Sequence, residues 1–215
     1  MVVGLQKEEG FKAQIMAKVT TPKGKLVRKF GENIFGNPKY DKLLNRKPYA
    51  PGQHGQGRRS KLSNYGIQLQ EKQKIKFMYG LLEKQFKLTF QKADKMEGET
   101  GTNMLQLLES RLDNIVYRVG FAPSRPAARQ LVSHKHFLVN NKVVNIPSYI
   151  VKPGDTVEVR VKSKKMDIIL ESMRRIKGDI DLAWLSLDKA KMKGTFISVP
   201  DRDDMQLTVN EQLVV

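Results

Sequence analysis

Apolar periodicity is missing from residues 1–62, and this constrains the fold more than any other feature of the sequence. Basic side chains are mixed there with glycines and prolines, so little apolar surface is available to offset the entropy lost on ordering. We predict an extended basic arm over 1–62, with short helical turns, that orders mainly on a partner. A disordered solubilising tail is the alternative. Interleaved aromatic residues favour the binding arm, because rings pack on bases and sugars: Phe30, Phe35, Tyr40 and Tyr49.

The arm also holds most of the charge. The chain has 39 Lys plus Arg against 22 Asp plus Glu, a net charge of +17. Residues 1–62 contribute +10, 63–105 contribute +2, 106–162 contribute +5, and 163–215 are neutral. A graded field of this size indicates a directed face for a polyanion rather than a uniformly solvated surface.

Composition excludes several classes of protein. There is no Cys and there are only three His in 215 residues, so disulfides, thiol nucleophiles and zinc knuckles are ruled out and no cofactor or metal is predicted. No apolar run approaches the ~20 residues that span a bilayer, so a soluble intracellular protein is expected.

Helical periodicity begins after the arm. Apolar residues recur every three or four positions over 71–93 and again over 103–119, which predicts two amphipathic helices, the second ended by Gly120. Ser124 as N-cap and Pro126 in the first turn predict a short helix that ends at Ser133.

Brief strands follow these helices. Residues 137–139 and 143–144 form a predicted hairpin around Asn140 and Asn141, residues that tolerate positive φ. Residues 156–161 alternate with valines inward. A helix over 166–176 and a packed connection over 179–187 complete the predicted elements.

The helix–helix–hairpin unit brings together a predicted phosphate-reading face, because Arg forks match phosphate oxygens. Its members are Arg111, Arg118, Arg125, Arg129, Gln130, His134, Lys135, Asn140 and Lys142. Some of these charges pair instead with Glu109, Asp113 or Asp155, and we expect this for Arg111 more than for Arg125 or Arg129. His134 and His136 form a weak metal-ligand set, so a surface or RNA-facing role is favoured.

The last residues differ in charge from the rest. Residues 201–215 carry a net charge of −3, and phosphate repels acidic side chains, so we predict that this tail binds protein. Leu207 and Val209 alternate with polar residues and suit a short strand or a packing edge. The alternative is that the tail covers the helical domain near Trp184 and Phe196.

A series of segments runs in one order along almost the whole chain from about Met16. They are 51–55 (PGQHG), 65–74 (YGIQLQEKQK), 78–86 (MYGLLEKQF), 107–114 (LLESRLDN), 116–121 (VYRVGF), 128–134 (ARQLVSH), 144–149 (VNIPSY), 151–155 (VKPGD) and 210–215 (NEQLVV). In sequence and in order they closely resemble the bacterial small-subunit ribosomal protein S-four family.

The resemblance implies a mixed α+β fold with a basic arm, a helical domain and an inserted RNA-binding module of two helices and a small antiparallel sheet. The implied divisions are 1–62 for the arm, 63–105 and 165–215 for the helical domain with its tail, and 106–164 for the module. The implied function is that of a structural, non-enzymatic protein. It binds the five-prime domain of 16S rRNA at a multi-helix junction, starts assembly of the subunit body and contributes to decoding accuracy.

The resemblance also assigns further site residues. Besides the phosphate-reading face, the RNA-binding residues are Lys23, Lys25, Arg28, Lys29, Gln53, His54, Arg58, Arg59, Lys61, Tyr65, Lys72 and Lys74. Arg58, Arg59 and Lys61 match basic positions near the path by which messenger RNA enters the subunit, with simple contact to ribosomal RNA as the alternative. The tail residues implied to contact ribosomal protein S-five are Asp203, Asp204, Asn210, Glu211, Gln212 and Leu213.

Three departures from the family pattern stand out. Gly24 and Val27 occupy positions where some members carry the Cys-x-x-Cys of a zinc site, so that metal is not expected. Residues 16–18 look like the usual family start, which makes 1–15 an extension or the product of an upstream start codon. The tail is expected to be shorter than is usual in the family.

Related modules also occur on RNA-modifying enzymes such as pseudouridine synthases and on tyrosyl-tRNA synthetases. The segment 111–113 (RLD) mimics the surroundings of the catalytic aspartate in pseudouridine synthases, but an apolar helical stripe continues after it where those enzymes turn sharply. A free-standing regulatory RNA-binding protein is a third possibility, and it would not need the first 105 residues. We therefore expect no enzyme activity.

Overall fold

The computed structural model of the chain describes residues 19–57, 61–175 and 182–214, and eight helices and five strands form within them. The helices are α1 (Lys23–Phe30), α2 (Pro38–Arg46), α3 (Asn64–Met78), α4 (Glu83–Ala93), α5 (Thr100–Glu109), α6 (Leu112–Arg118), α7 (Arg125–Ser133) and α8 (Asp167–Arg174). The strands are β1 (Phe137–Val139), β2 (Lys142–Val143), β3 (Thr156–Val159), β4 (Leu185–Asp188) and β5 (Lys193–Phe196). The predicted mixed α+β class is confirmed.

Local sequence signals explain several element ends. The Ser124 hydroxyl accepts a hydrogen bond from the Ala127 amide at the start of α7, and Pro126 lies in the first turn, as predicted. Gly120 follows α6 with a φ of 85°, which suits a glycine. Asn140 and Asn141 both adopt positive φ between β1 and β2, so the predicted hairpin turn is confirmed.

Both long helices of the prediction are interrupted. The stripe over 71–93 is split between α3 and α4, because Gly80 adopts a φ of 63° and turns the chain. The stripe over 103–119 is split between α5 and α6 at Ser110 and Arg111. Apolar spacing continues across both breaks, so periodicity alone does not reveal them.

The strands form one antiparallel sheet in the order β2-β1-β3-β5-β4. Its last two strands come from 185–196, a segment that the sequence assigns to the helical domain, with a packed connection over 179–187 and no strand. Strand β3 ends at Val159, and Val161 is 75% exposed in a 3₁₀ turn, so its predicted inward position is wrong.

Buried apolar side chains form two clusters. The module core lies between α6, α7 and the sheet, and Ile169, Trp184 and Phe196 belong to it. The helical core joins Ile75 and Phe86 of α3 and α4 to Met104 and Leu108 of α5. The apolar side chains of 166–173 and 182–196 that belong to these clusters therefore pack with the module and not with the helical core.

The tail closes the helical core. Met205 is fully buried and Val209 is 6% exposed among the side chains of that core. The tail forms 3₁₀ turns over Asp203–Met205 and Glu211–Leu213 rather than a strand. It lies on the helical core, away from the module core that holds Trp184 and Phe196.

The arm is more ordered than the sequence predicts. Helices α1 and α2 form within its described part, and Leu26, Val27 and Ile34 are buried. Ile34 and the half-buried Phe30 pack on the helical core. No helix in the described ranges is both long and apolar enough to cross a membrane.

Candidate nucleic-acid interface

Two buried carboxylates organise the arginines of the module. Glu109 is fully buried at the end of α5, and its carboxylate accepts hydrogen bonds from Arg118 at 2.8 and 3.0 Å. The Asn114 amide donates to it at 2.6 Å and the Tyr79 hydroxyl at 2.5 Å. The guanidinium of Arg125 lies 4.0 Å from the same carboxylate.

Asp113 forms the second centre, with 4% of its surface exposed. Arg111 donates two hydrogen bonds to it at 2.9 and 3.0 Å, and Arg129 donates at 2.7 and 2.9 Å. Arg129 also donates to the backbone carbonyl of Gly80 at 2.5 Å and to that of Tyr79 at 3.2 Å. One arginine of α7 therefore ties Asp113 to the end of α3.

Arg125 completes this arrangement between two rings. Its guanidinium carbon lies 4.9 Å from the ring centroid of Tyr79 and 4.7 Å from that of Tyr117, within the range of cation–π attraction. Its Nε donates to the Asn114 side chain at 2.8 Å. We call this set the ionic junction, and it contains Tyr79, Glu109, Arg111, Asp113, Asn114, Arg118, Arg125 and Arg129.

The junction sets the protonation of its own members. Burial alone would raise the pKa of Glu109, but the charge and hydrogen bonds of Arg118, with the charge of Arg125, hold that pKa below its ordinary value. Burial and then the Glu109 charge raise the pKa of Tyr79 well above its usual range. Burial opposes the charge on Arg118, yet Glu109 raises the pKa of this guanidinium. The ionic junction therefore contains a neutral Tyr79 beside the charged side chains of Glu109 and Arg118.

The structure corrects the predicted exposure of this face. Arg111 pairs with Asp113 as expected, but the side chains of Arg125 and Arg129 are only 11% and 24% exposed and are bound internally as well. Sequence reasoning named Glu109 only as one ion-pair partner and missed that it binds Tyr79, Asn114 and Arg118 together. Its signal is its place beside Leu105, Leu108 and Leu112 in the apolar stripe, since a carboxylate buried there must be paired.

Other predicted residues of the module are accessible. Gln130, His134, Lys135, Asn140 and Lys142 are exposed. The Asn140 side chain is nevertheless used within the fold, since it donates to Asp155 and accepts from the Thr156 amide.

The carboxylates of 106–162 are all engaged. Glu109 and Asp113 belong to the ionic junction, Asp155 accepts from Asn140 and from the Lys152 amide, and Glu158 pairs with Lys164 at 3.0 Å. The accessible face of this region is therefore cationic, although the four arginines of the ionic junction are turned inward.

The two histidines of the module lie side by side, with ring centroids 6.2 Å apart. His136 bonds through Nδ1 to the Ser163 hydroxyl at 2.8 Å, and burial, His134 and Arg160 lower its pKa. Within the described residues, no group of three or more His, Cys, Asp and Glu side chains is placed to hold a metal ion.

The arm presents its cations differently. Lys25 and Lys29 on α1 are exposed, as are Gln53 and His54. Arg28 is half-buried, donates to the carbonyls of Tyr49 and Ala50 at 3.0 Å and stacks on the Tyr49 ring. Lys23 lies 5.2 Å from the Phe35 ring, and burial lowers its pKa.

The remaining residues predicted to bind RNA also divide into exposed side chains and side chains that are bound within the fold. Lys61 is exposed and Tyr65 is 72% exposed. Lys72 pairs with Glu83 at 2.5 Å, while the buried Lys74 bonds to Glu32 and to the Thr208 carbonyl, both at 2.5 Å. Arg58 and Arg59 lie outside the described residues.

The tail residues serve two purposes. Glu211 is 9% exposed and pairs with Arg202 at 2.6 Å, and Leu213 is half-buried. Asp203, Asp204, Asn210 and Gln212 are exposed. The tail therefore exposes acidic and polar side chains besides those that it uses within the fold.

Comparison with known proteins accounts for most of the chain. Residues 18–109 match the family profile described as "Ribosomal protein S4/S9 N-terminal domain", and residues 110–157 match that of the "S4 domain". A protein of Chlorobium luteolum is 53% identical over 191 residues, covering 89% of this chain and 93% of the relative. Proteins of Parabacteroides distasonis and Porphyromonas gingivalis are 52% and 49% identical over 200 residues, covering 93% of this chain and 98% of each relative. All three relatives are named "Small ribosomal subunit protein uS4".

Proposed function

This chain belongs to the uS4 family of small ribosomal subunit proteins, and from that premise we propose that its exposed lysines hold a multi-helix junction in the five-prime domain of 16S ribosomal RNA. The family binds 16S rRNA and is a structural, non-enzymatic part of the ribosome in the cytoplasm. Holding that junction would start assembly of the subunit body.

One observation carries this proposal: the carboxylates of the module form ion pairs and hydrogen bonds within the fold, while lysines at its surface stay exposed. Lys135 and Lys142 are exposed, and Asp113 and Glu109 are buried. The exposed lysines of α1 and α2 extend the same sign of charge across the arm: Lys25, Lys29, Lys39 and Lys42. Neutralised phosphates release counterions, so a face of this kind binds with steep salt dependence.

Binding of the full chain to a transcript of the 16S five-prime domain, from about 50 to about 200 mM salt, tests the proposal. We expect the logarithm of affinity to fall linearly with the logarithm of salt, with a slope of about −0.7 to −0.9 per neutralised phosphate. An affinity that does not change with salt would refute it.

We also propose that Arg58, Arg59 and Lys61 contact messenger RNA where it enters the subunit. Lys61 is exposed and follows a glycine-rich loop, which lets a single strand approach the backbone closely. Neutralising all three should slow passage through structured messengers without preventing subunit assembly. If assembled mutant ribosomes pass such messengers at the normal rate, these cations contact ribosomal RNA instead.

A third part of the proposal concerns the tail, whose exposed residues we assign to ribosomal protein S-five. Asp203 and Asp204 complement the basic surfaces usual in ribosomal proteins, and Asn210 and Gln212 lie exposed on the same tail. Reversing both aspartates to Lys should leave affinity for isolated rRNA intact and raise miscoding. Deleting 210–215 is a poorer test, because it removes Glu211 from Arg202. Reduced rRNA affinity with unchanged accuracy would move the tail to the RNA face.

A further inference from the structure

A second surface, which touches the ionic junction only at Arg111, has the features of a nucleobase site. A groove of about 180 Å³ lies between α4, the end of α5 and the segment that connects β2 to β3. Leu88, Leu107 and Ile150 line it, with Gln85, Ser148 and Lys92 among its polar groups. Leu88 is 42% exposed and Ile150 is 40% exposed. The groove therefore exposes two large aliphatic side chains, Leu88 and Ile150, to solvent.

The far wall of the groove is fixed by the backbone. The Leu112 amide donates to the Tyr149 carbonyl at 2.8 Å, and the Asp113 amide donates to the Pro147 carbonyl at 3.1 Å. The Val151 amide donates to the Ser110 carbonyl at 2.9 Å. Since three hydrogen bonds hold this segment on the start of α6, the groove is formed before any ligand arrives, which lowers the ordering cost of binding.

The charge around the groove selects the class of occupant. Lys84, Lys87 and Lys92 are exposed on α4. The one carboxylate of α4, Glu83, is held by Lys72 at 2.5 Å and by Lys76 at 2.8 Å. Arg111 also lines the groove, but Asp113 neutralises it. Of these lysines, Lys92 lines the groove itself and Lys84 lies one helical turn before Leu88, so the α4 side of the groove is cationic and complements phosphate.

We propose that this groove binds one unpaired base of ribosomal RNA, with Lys84 and Lys92 on the flanking phosphates; the inference rests on the RNA-binding function proposed above. The base lies between the Leu88 and Ile150 side chains, and the Gln85 amide and Ser148 hydroxyl face its hydrogen-bonding edge. Unpaired nucleotides are the form in which proteins reach RNA base faces and edges.

The double variant Leu88→Gln with Ile150→Gln tests the site in the full chain on the 16S five-prime-domain transcript. Both side chains are already two-fifths exposed, so the fold should be retained. We expect affinity to fall about 10-fold, the effect of losing the apolar contact of about two methylene groups, with an unchanged salt slope because the lysines remain. Ile168→Gln on α8 is the matched control, since Ile168 is 39% exposed and lies outside the groove, and it should bind as wild type does.

A photo-crosslinking residue at position 85 then identifies the occupant, first with the transcript and then in assembled subunits. We expect a crosslink to one unpaired nucleotide, and removal of that base should reduce wild-type affinity about 10-fold but leave the double variant unaffected. A crosslink to a protein, or wild-type affinity in the double variant, would overturn the base site while the proposed RNA-binding function stands. Loss of salt-dependent binding by the wild-type chain would instead refute the proposed function itself.

Discussion

The arm and the module both carry an excess of positive charge, but they use it in opposite ways. In the arm, Lys25 and Lys29 lie on the surface. In the module, Arg118 and Arg129 lie within 3.0 Å of buried carboxylates. Arg suits the module because its planar fork binds a carboxylate with two hydrogen bonds, whereas Lys suits a solvated surface as a mobile point charge. A count of cations therefore does not locate a binding face, since the position of the acids decides which cations remain free.

The largest test of this difference is Glu109→Gln. The substitution keeps the size of the side chain but leaves Arg118 and Arg125 without a counter-charge in a buried site. We expect the free energy of unfolding to fall by about 3–5 kcal/mol, as for other buried pairs that lose one partner. Urea denaturation measures it. A loss below about 1 kcal/mol would mean that the junction is solvated and that module and arm do not differ.

Neutralising the exposed lysines of the arm should change RNA binding but leave the stability of the fold almost unchanged. Changing Lys25, Lys29, Lys39 and Lys42 to Gln removes four exposed charges, so we expect the free energy of unfolding to stay within about 0.5 kcal/mol for each change. The slope of log affinity against log salt should become shallower by up to about 0.9 for each phosphate that is no longer neutralised. Lys191→Gln, at a lysine paired with Asp188, is a control that should leave the slope unchanged. An unaltered slope in the fourfold variant would remove the arm from the RNA face.

Arg129 and Lys135 separate the two roles within ten residues. Arg129→Met keeps the side-chain stem but abandons Asp113 and the Gly80 carbonyl, and we expect a loss of stability of about 2 kcal/mol. Lys135→Met should leave stability unchanged and weaken RNA binding. Thermal unfolding and RNA affinity should be measured on both variants. The sequence predicts instead that Arg125 and Arg129 bind RNA on an exposed face. The opposite pattern would place Arg129 on the RNA face.

The smallest effect concerns the ion pairs that Glu83 at the start of α4 forms with Lys72 and Lys76 of α3. Hydrogen bonds from Lys72 and then Lys76 lower the pKa of Glu83 to about 2. A carboxylate with a lowered pKa stabilises the fold above its ordinary value of 4.5, and this contribution is lost as the pH falls from 4.5 towards 2. Because the Glu83 side chain is 54% exposed, solvent screening should keep the gain under about 1 kcal/mol. Comparing wild type with Glu83→Gln at pH 7 and at pH 3 should show the larger difference at the higher pH.

The fold could be predicted where a local side chain determines the backbone. Ser124 and Pro126 predict the start of α7, and Asn140 with Asn141 predicts the hairpin. The break at Gly80 could not be predicted from apolar spacing, because that spacing continues through it. Strand β5 could not be predicted either, because it contains Gly194 and glycine is a poor strand former. A glycine occupies this position because a Cβ atom would lie 3.0 Å from the Val119 methyl groups.

The candidate site was less predictable than the fold. The positions of the cations were plain in the sequence, but the ionic junction joins residues up to 50 positions apart, such as Tyr79 and Arg129. Nothing local to Arg129 shows that the end of α3 will lie beside it. Lys135 and Lys142 lie next to turns at the surface, so local sequence was enough to predict that they are exposed.

The packing of Met205 and Val209 against Ile75 and Met104 has a consequence for the order in which the chain folds as it is made. At a synthesis rate of ~5–20 residues per second, the stretch between residues 75 and 205 takes on the order of ten seconds to appear. Throughout that time α3 lacks the side chains that close its core, and the last side chain of the module core, Phe196, is synthesised before Met205 and Val209 of the helical core. The first half of the protein to be synthesised is therefore the last to complete its packing, and its unfinished apolar surface waits for the final residues.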